Sequence, residues 1–204
     1  GSNLTEVTKT SLVQSLKSYA VASVTPVIID PETTFITLTT TFKYDSSLTT
    51  KDVSTLQTNV LNAVSTYNTD TLEDFTGMFR YSAVGKTIDE ADTSILSNIT
   101  KIKMYKYITP TLNSGLKYTL SFNNAFYNPH SGHNATGGGI VSSTGFKIND
   151  DSSTNEHFLD DDGAGNIRVY YLSGTTRIYT NSTFGTVNYT TGEIILTSAN
   201  ITSI

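Results

Sequence analysis

FITLTTTFKYDSSLTTKDVSTLQTNVLNAVSTY, residues 35–67, changes its period once. Up to Tyr44 the period is two. Ile36, Leu38, Thr40, Phe42 and Tyr44 face one way, and Thr37, Thr39, Thr41 and Lys43 face the other, which predicts a long strand with one buried face. The polar DSSLTT that follows is a turn, and its Thr49 or Thr50 can cap a helix. Val53, Leu56, Val60, Leu61, Val64 and Tyr67 then fall on one stripe at helical spacing. A strand leading straight into an amphipathic helix makes this part of the chain mixed.

Working outward, Phe75, Phe79, Val84 and Ile88 predict a second, less regular helix. After it Thr100, Ile102, Met104, Lys106 and Ile108 alternate with Ile99, Lys101, Lys103, Tyr105 and Tyr107, a second strand. Leu116, Tyr118, Leu120 and Phe122 alternate again beyond Asn113-Ser114-Gly115, the pattern of a hairpin. Toward the amino terminus Leu4, Val7, Leu12, Leu16 and Tyr19 recur at near-helical spacing, and Gly1-Ser2 reads as a cloning scar on a piece of something longer. Residues 124–139 carry glycine, asparagine and proline without a period, so a loop or linker is expected there. Strands are then expected at Asn166–Leu172, Thr176–Thr180, Thr186–Tyr189 and Glu193–Thr197, turning at Ser173-Gly174 and Thr191-Gly192.

The expected fold is therefore α+β. It has an N-terminal helix over 1–23 and, over 24–123, two helices packed on a mixed or antiparallel sheet. A loop over 124–139 and a β-rich assembly unit over 140–204 complete it.

Composition narrows the function classes. Only 15% of the 204 residues are charged, the net charge is −5, and no basic cluster appears, so nucleic acid is not an expected partner. No apolar run approaches the ~20 residues of a membrane-spanning helix, so no membrane partner is expected either. Thr and Ser exceed a quarter of the chain and supply its polar surface; the branched Thr side chain favours strands. Cysteine is absent, which removes disulfides and thiolate metal sites. Asn-x-Ser/Thr triplets at Asn3, Asn98, Asn134, Asn181, Asn188 and Asn200 are expected by chance in such a composition.

Three places invite a chemical reading. Gly85-Lys86-Thr87 has the end of a phosphate loop, but Arg80 stands where its first glycine is required. The adjacent Asp89, Glu90 and Asp92 read as a solvated corner that Lys101 or Lys103 could neutralise. LDDDGAGN, residues 159–166, fails as a calcium loop, because the first and last ligand positions would be Phe158 and Val169; a polar strand connection fits better. His130 and His133 form His-x-x-His in the loop, and His157 is the only other histidine. No nucleophile elbow occurs. No catalytic, cofactor-binding or metal-binding residues and no cofactor are expected.

The run Ala20–Lys106 resembles the baseplate-J-like family of contractile phage tails. SYAVASVTPVIIDPE leads into FITLTTTFKYD, TKDVSTLQTNVLNAVSTYN and FTGMFRYSAVGKTIDEAD follow as helices, and SNITKIKMYK closes the unit. With DDDGAGNIRVYYL and FGTVNYTTGEIIL, the order is similar to the carboxy-terminal part of a T-even-type baseplate wedge subunit. The resemblance implies a structural, non-enzymatic virion protein of the tail baseplate, assembled in the host cytoplasm. It also implies a homodimer that links wedges into a ring and contacts other baseplate wedge proteins. The alternative class is a carbohydrate-binding tail-spike or tail-fibre domain, using Tyr118, Tyr127, Tyr170, Tyr171 or Tyr179 as stacking faces beside acids.

Self-association is expected through the last strand. Ile194, Ile195 and Leu196 are consecutive, so a two-sided strand must turn one of them away from its own core, and Ile201 and Ile204 extend the apolar run. Either both faces are covered within one chain, or one meets a second copy. Exchanging His130 and His133 for alanine should leave stability within about 0.5 kcal/mol by thermal melting. A fall in Tm on adding a chelator would contradict the absence of a metal.

Overall fold

The computed structural model describes residues 4–21, 24–30, 32–74, 76–130, 132–135, 139–149 and 154–204. The chain divides into two compact units, Gly1–Tyr105 and Lys106–Ile204. The sequence expects a boundary near 123; this division falls at the end of a strand. Gly1-Ser2, the Asn3 triplet and Phe75 lie outside the described residues.

In the first unit, helix α1 (Glu6–Lys17) starts at Thr5, whose hydroxyl accepts from the Thr8 N–H. None of its residues is buried, so the expected amphipathic helix forms but presents its apolar stripe to solvent. Strand β1 (Phe35–Tyr44) alternates in exposure along its whole length, as its sequence predicts. Helix α2 (Val53–Tyr67) is capped by Asp52, whose carboxylate accepts from the Thr55 N–H at 3.0 Å. The expected threonine cap is corrected: Thr49 instead accepts from the Lys51 N–H in the preceding turn. Leu56 and Val60 are buried, whereas Leu61, expected on the same stripe, is exposed.

A π-helical turn (Asn68–Leu72) prolongs α2, helix α3 (Tyr81–Asp89) follows, and strand β2 (Ile95–Tyr105) closes the unit. β2 pairs with β1 antiparallel, with Leu38 opposite Ile102 and Thr40 opposite Thr100. The core gathers Val60, Val84, Ile88 and Ile95, with Leu38, Phe42, Val64 and Phe79 packed against it. At ~25 cal/mol per Å² these side chains supply the main drive for folding the unit.

The hairpin expected from β2 into the next strand does not form. β2 stops at Tyr105, short of Pro110, which lacks the N–H a ladder needs. Strand β3 (Gly115–Ser121) belongs to the second unit, pairing with the last strand.

That unit adds β4 (Lys147–Ile148), β5 (His157–Asp161), β6 (Asn166–Ser173), β7 (Thr176–Asn188) and β8 (Glu193–Ser203). Its antiparallel sheet runs β3-β8-β7-β6-β5, with β4 also on β8. β7 is one continuous strand where two were expected. The sheet also bends back on itself. Phe146 and His157 exchange backbone hydrogen bonds at 3.0 and 2.8 Å, and the Asn149 N–H donates to Asn200 O at 3.0 Å, so the short run through β4 bridges β5 to β8. This closure encloses Phe146, Ile148, Ile167, Val169, Phe184 and Leu196. It also covers edges that would otherwise invite pairing.

Gly185 makes the β7–β8 contact possible. A Cβ there would lie 2.2 Å from the Ile195 carbonyl oxygen, so no larger residue fits without moving the ladder. Gly185→Ala should destabilise this unit by about 1–3 kcal/mol in chemical denaturation. An unchanged midpoint would show that β7 and β8 do not approach as described.

Candidate functional site

Of the three acids at the corner, Asp92 is buried, Asp89 is half-buried and Glu90 is solvated. The Asp92 Oδ2 accepts from Lys51 Nζ at 2.6 Å and Asn59 Nδ2 at 3.4 Å, and its Oδ1 accepts from the Ser94 N–H and hydroxyl. The cation comes from the α2 entry, not from Lys101 or Lys103 as expected. The Lys51 ammonium first, and then the two Ser94 donors, hold the Asp92 carboxyl well below the usual carboxylate range. Asp89 accepts from Asn98 Nδ2 at 2.8 Å, and Glu90 lies 3.7 Å from Lys86 on the surface. Gly85-Lys86-Thr87 lies within α3, where no loop cradles a phosphate. Asp92 and Asp89 fix the junction of α2, α3 and β2.

The second acidic run is likewise structural, but more deeply set than a polar connection. Asp160 and Asp161 are strand residues, 1% and 0% exposed. Asp160 accepts from Arg168 Nε at 2.9 Å, Arg177 Nη1 at 2.7 Å and the Tyr179 hydroxyl at 2.8 Å. The two guanidinium groups lie over the aromatic rings, Arg168 over Tyr179 at 4.3 Å and Arg177 over Tyr170 at 4.7 Å. Asp161 accepts from the Ile140 and Val141 N–H groups, both at 2.7 Å, and from the Tyr189 hydroxyl at 2.5 Å. Burial, and then donation to Asp161, push the Tyr189 hydroxyl well above the ordinary tyrosine value. Burial raises the Asp162 carboxyl, but the Asn166 and Ala164 donors outweigh it and pull it below its usual value. All three carboxylates are saturated by the protein itself, the arrangement that buried charge requires.

His133 Nδ1 lies 3.2 Å from His130 Nε2, and the Tyr127 ring packs edge-on to His133. No group of three or more metal-ligating side chains occurs among the described residues. An open depression of ≈ 420 Å³ lies nearby, lined by Asn128, His130, Gly163–Gly165 and Val187–Thr190. It gathers no set of acid, base and nucleophile.

The four residues expected to self-associate are separated. Ile194, Leu196 and Ile201 are buried in the second unit's own core. Only Ile195 turns to the opposite face, half-buried between Thr119 and Thr186. Two other surfaces went unnoticed in the sequence. The β6–β7 hairpin exposes Leu172, Ile178 and Tyr179, and among the described residues no strand pairs with the outer side of Thr176–Ser182. The outer face of the β1–β2 ladder carries Lys43, Lys101 and Lys103 with the exposed Ile99. The first could be read only from β7 outrunning its partner, the second only once the register was known.

Because the folded carboxyl of Asp92 titrates below its unfolded value near pH 3.9, its stabilisation is complete above that pH and is lost as pH falls. Acid unfolding should show the gap between wild type and Asp92→Asn widest above about pH 4 and closing below it. A gap independent of pH would contradict the assigned pairing.

Residues 32–107 match a family model described as baseplate structural protein gp6, C-terminal domain III. The chain is also 28% identical over 123 residues to the baseplate wedge protein gp6 of Enterobacteria phage T4. That alignment covers 58% of this chain and 18% of the relative, so the chain spans about a fifth of its length. The wedge part of the sequence resemblance is supported by these matches, while the baseplate-J-like label is not what they carry. The matched segment starts just before β1 and ends just past β2, so it spans the β1–β2 ladder with α2 and α3 between its strands.

Proposed function

We propose that the chain is a structural segment of a contractile phage-tail baseplate wedge, resident in the virion's tail baseplate. In this reading it associates with a second copy and with other wedge proteins, links wedges into a ring, and has no catalytic task. The observation that carries this reading is that the matched residues 32–107 run from just before β1 to just past β2, taking in the whole ladder and the two helices packed on it. The committed acids support it: Asp92, Asp160 and Asp161 each hold separate parts of the chain together. No helix among the described residues is long and apolar enough to cross a membrane.

Self-contact is better assigned to the β6–β7 hairpin than to β8. Ile194, Leu196 and Ile201 cannot reach a partner without opening their core, whereas the hairpin offers exposed apolar side chains and a strand edge that no strand pairs among the described residues. Two copies paired edge to edge across a two-fold axis would cover the side of Thr176–Ser182 that no strand pairs among the described residues.

The carbohydrate-binding alternative needs open aromatic faces. The Tyr170 ring is stacked by Phe158 and covered by Arg177, and the Tyr179 ring is covered by Arg168. Tyr118 uses its hydroxyl to accept from the Thr111 N–H, and Tyr127 stands apart beside His133. These rings form no stacking platform.

Sedimentation velocity over a concentration series should show a reversible homodimer, with an interface of about 1,200 Å² or more in total. Ile178→Asp should weaken it about tenfold or more, and Ile195→Asp should leave it unchanged. A chain that stays monomeric throughout the series contradicts self-association; a dimer broken by Ile195→Asp alone returns the contact to β8.

A further inference from the structure

We propose that the outer face of the β1–β2 ladder docks an extended acidic protein segment. The register places Phe35 opposite Tyr105, Thr37 opposite Lys103, Thr39 opposite Lys101, Thr41 opposite Ile99 and Lys43 opposite Ser97, all on the face away from the core. All ten residues are exposed. The face holds three lysines and no acid, in a chain whose net charge is −5. It is a local inversion of charge that no composition average shows.

The lysines are also unspent. Elsewhere in the unit, Lys9 pairs with Glu6 and Asp30, Lys51 with Asp92, and Lys86 with Glu90. Lys43, Lys101 and Lys103 make no ion pair among the described residues. Cations on an uncovered ribbon can also serve simply to keep ribbons from stacking. A purely protective face would not carry Ile99, 71% exposed, nor end in the stacked Phe35–Tyr105 pair, whose ring centroids are 5.2 Å apart. An aromatic anchor, an apolar centre and a charged rim compose an interface.

Spacing identifies the occupant. Lys101 and Lys103 are two residues apart on one strand, so their stems rise about 6.6 Å apart, the repeat of same-face side chains in any extended chain. A segment with acids at alternate positions therefore matches them pair by pair, while Thr37, Thr39 and Thr41 offer hydroxyls between. Nucleic acid would meet the repulsion of the acidic remainder of the chain. The inference stands on the ladder alone and does not depend on the chain dimerising or being a wedge segment.

Fluorescence anisotropy on the whole chain tests it. The probes are a labelled peptide alternating glutamate and valine and a single-stranded oligothymidylate of similar contour length. The peptide should bind saturably in about 20 mM salt and several-fold more weakly at about 150 mM. Lys101→Gln with Lys103→Gln should weaken binding about fivefold or more, with an unchanged thermal melt, and Lys117→Gln should have no effect. Absence of saturable peptide binding at low salt overturns the proposal. So does an equal loss with Lys117→Gln, or oligothymidylate binding as tightly as the peptide. If the double variant aggregates yet binds the peptide undiminished, the lysines only keep ribbons apart and the proposal fails.

Discussion

The β1–β2 ladder is the constraint on which the first unit depends. It joins strands whose partners, such as Leu38 and Ile102, lie far apart in sequence, so the loop between them must be ordered before the pairing is rewarded. That loop is α2, the π turn and α3, whose apolar stripes meet Leu38 and Phe42 in the core. The register is held at mid-ladder by the Thr40 and Thr100 hydroxyls, 3.1 Å apart, and at the α3 end by Asn98, which donates to both Gly85 O and Asp89. A slip of one residue would turn Leu38 and Phe42 to solvent and bury lysines. The same register therefore fixes the core, the matched segment and the basic outer face.

Carboxylates do the complementary work at the joints. Asp52 begins α2, Asp92 ties the α2 entry to the start of β2, Asp160 draws the β6–β7 hairpin onto β5, and Asp161 anchors the chain entering β4. A cation at Asp161 would have to displace two backbone N–H groups and a tyrosine hydroxyl, each of which would lose its acceptor. Orphaning such a group costs about 1–3 kcal/mol. The sites that resemble chemistry are thereby spent on shape.

Much of the first unit is legible in the sequence because its periods are clean. The alternation of residues 35–44 and the stripe from Val53 to Val64 each answer to one buried face. Three features escape for physical reasons. The Asp52 cap was hidden by the neighbouring threonines, although Asp directly before an apolar stripe is the stronger capping residue. The partner of β3 is set by a strand some eighty residues on, which no local pattern encodes. Asp160 and Asp161 look like a turn because burying adjacent carboxylates makes sense only once Arg168, Arg177, Tyr179 and Tyr189 are brought to them. The apolar run Ile194–Leu196 signals a buried strand correctly, but only its parity against β7 and β3 shows that Ile195 alone leaves the core.

Adjacent substitutions in β1 distinguish the two faces of the ladder. Leu38→Asp and Thr39→Asp introduce the same charge one residue apart, on opposite faces. Amide hydrogen exchange on the whole chain should show protection lost throughout β1, α2, α3 and β2 in the first variant, with the second unit unaffected. Thr39→Asp should keep protection in both units. Equal losses in the two variants, or tolerance of Leu38→Asp, would contradict the β1–β2 register.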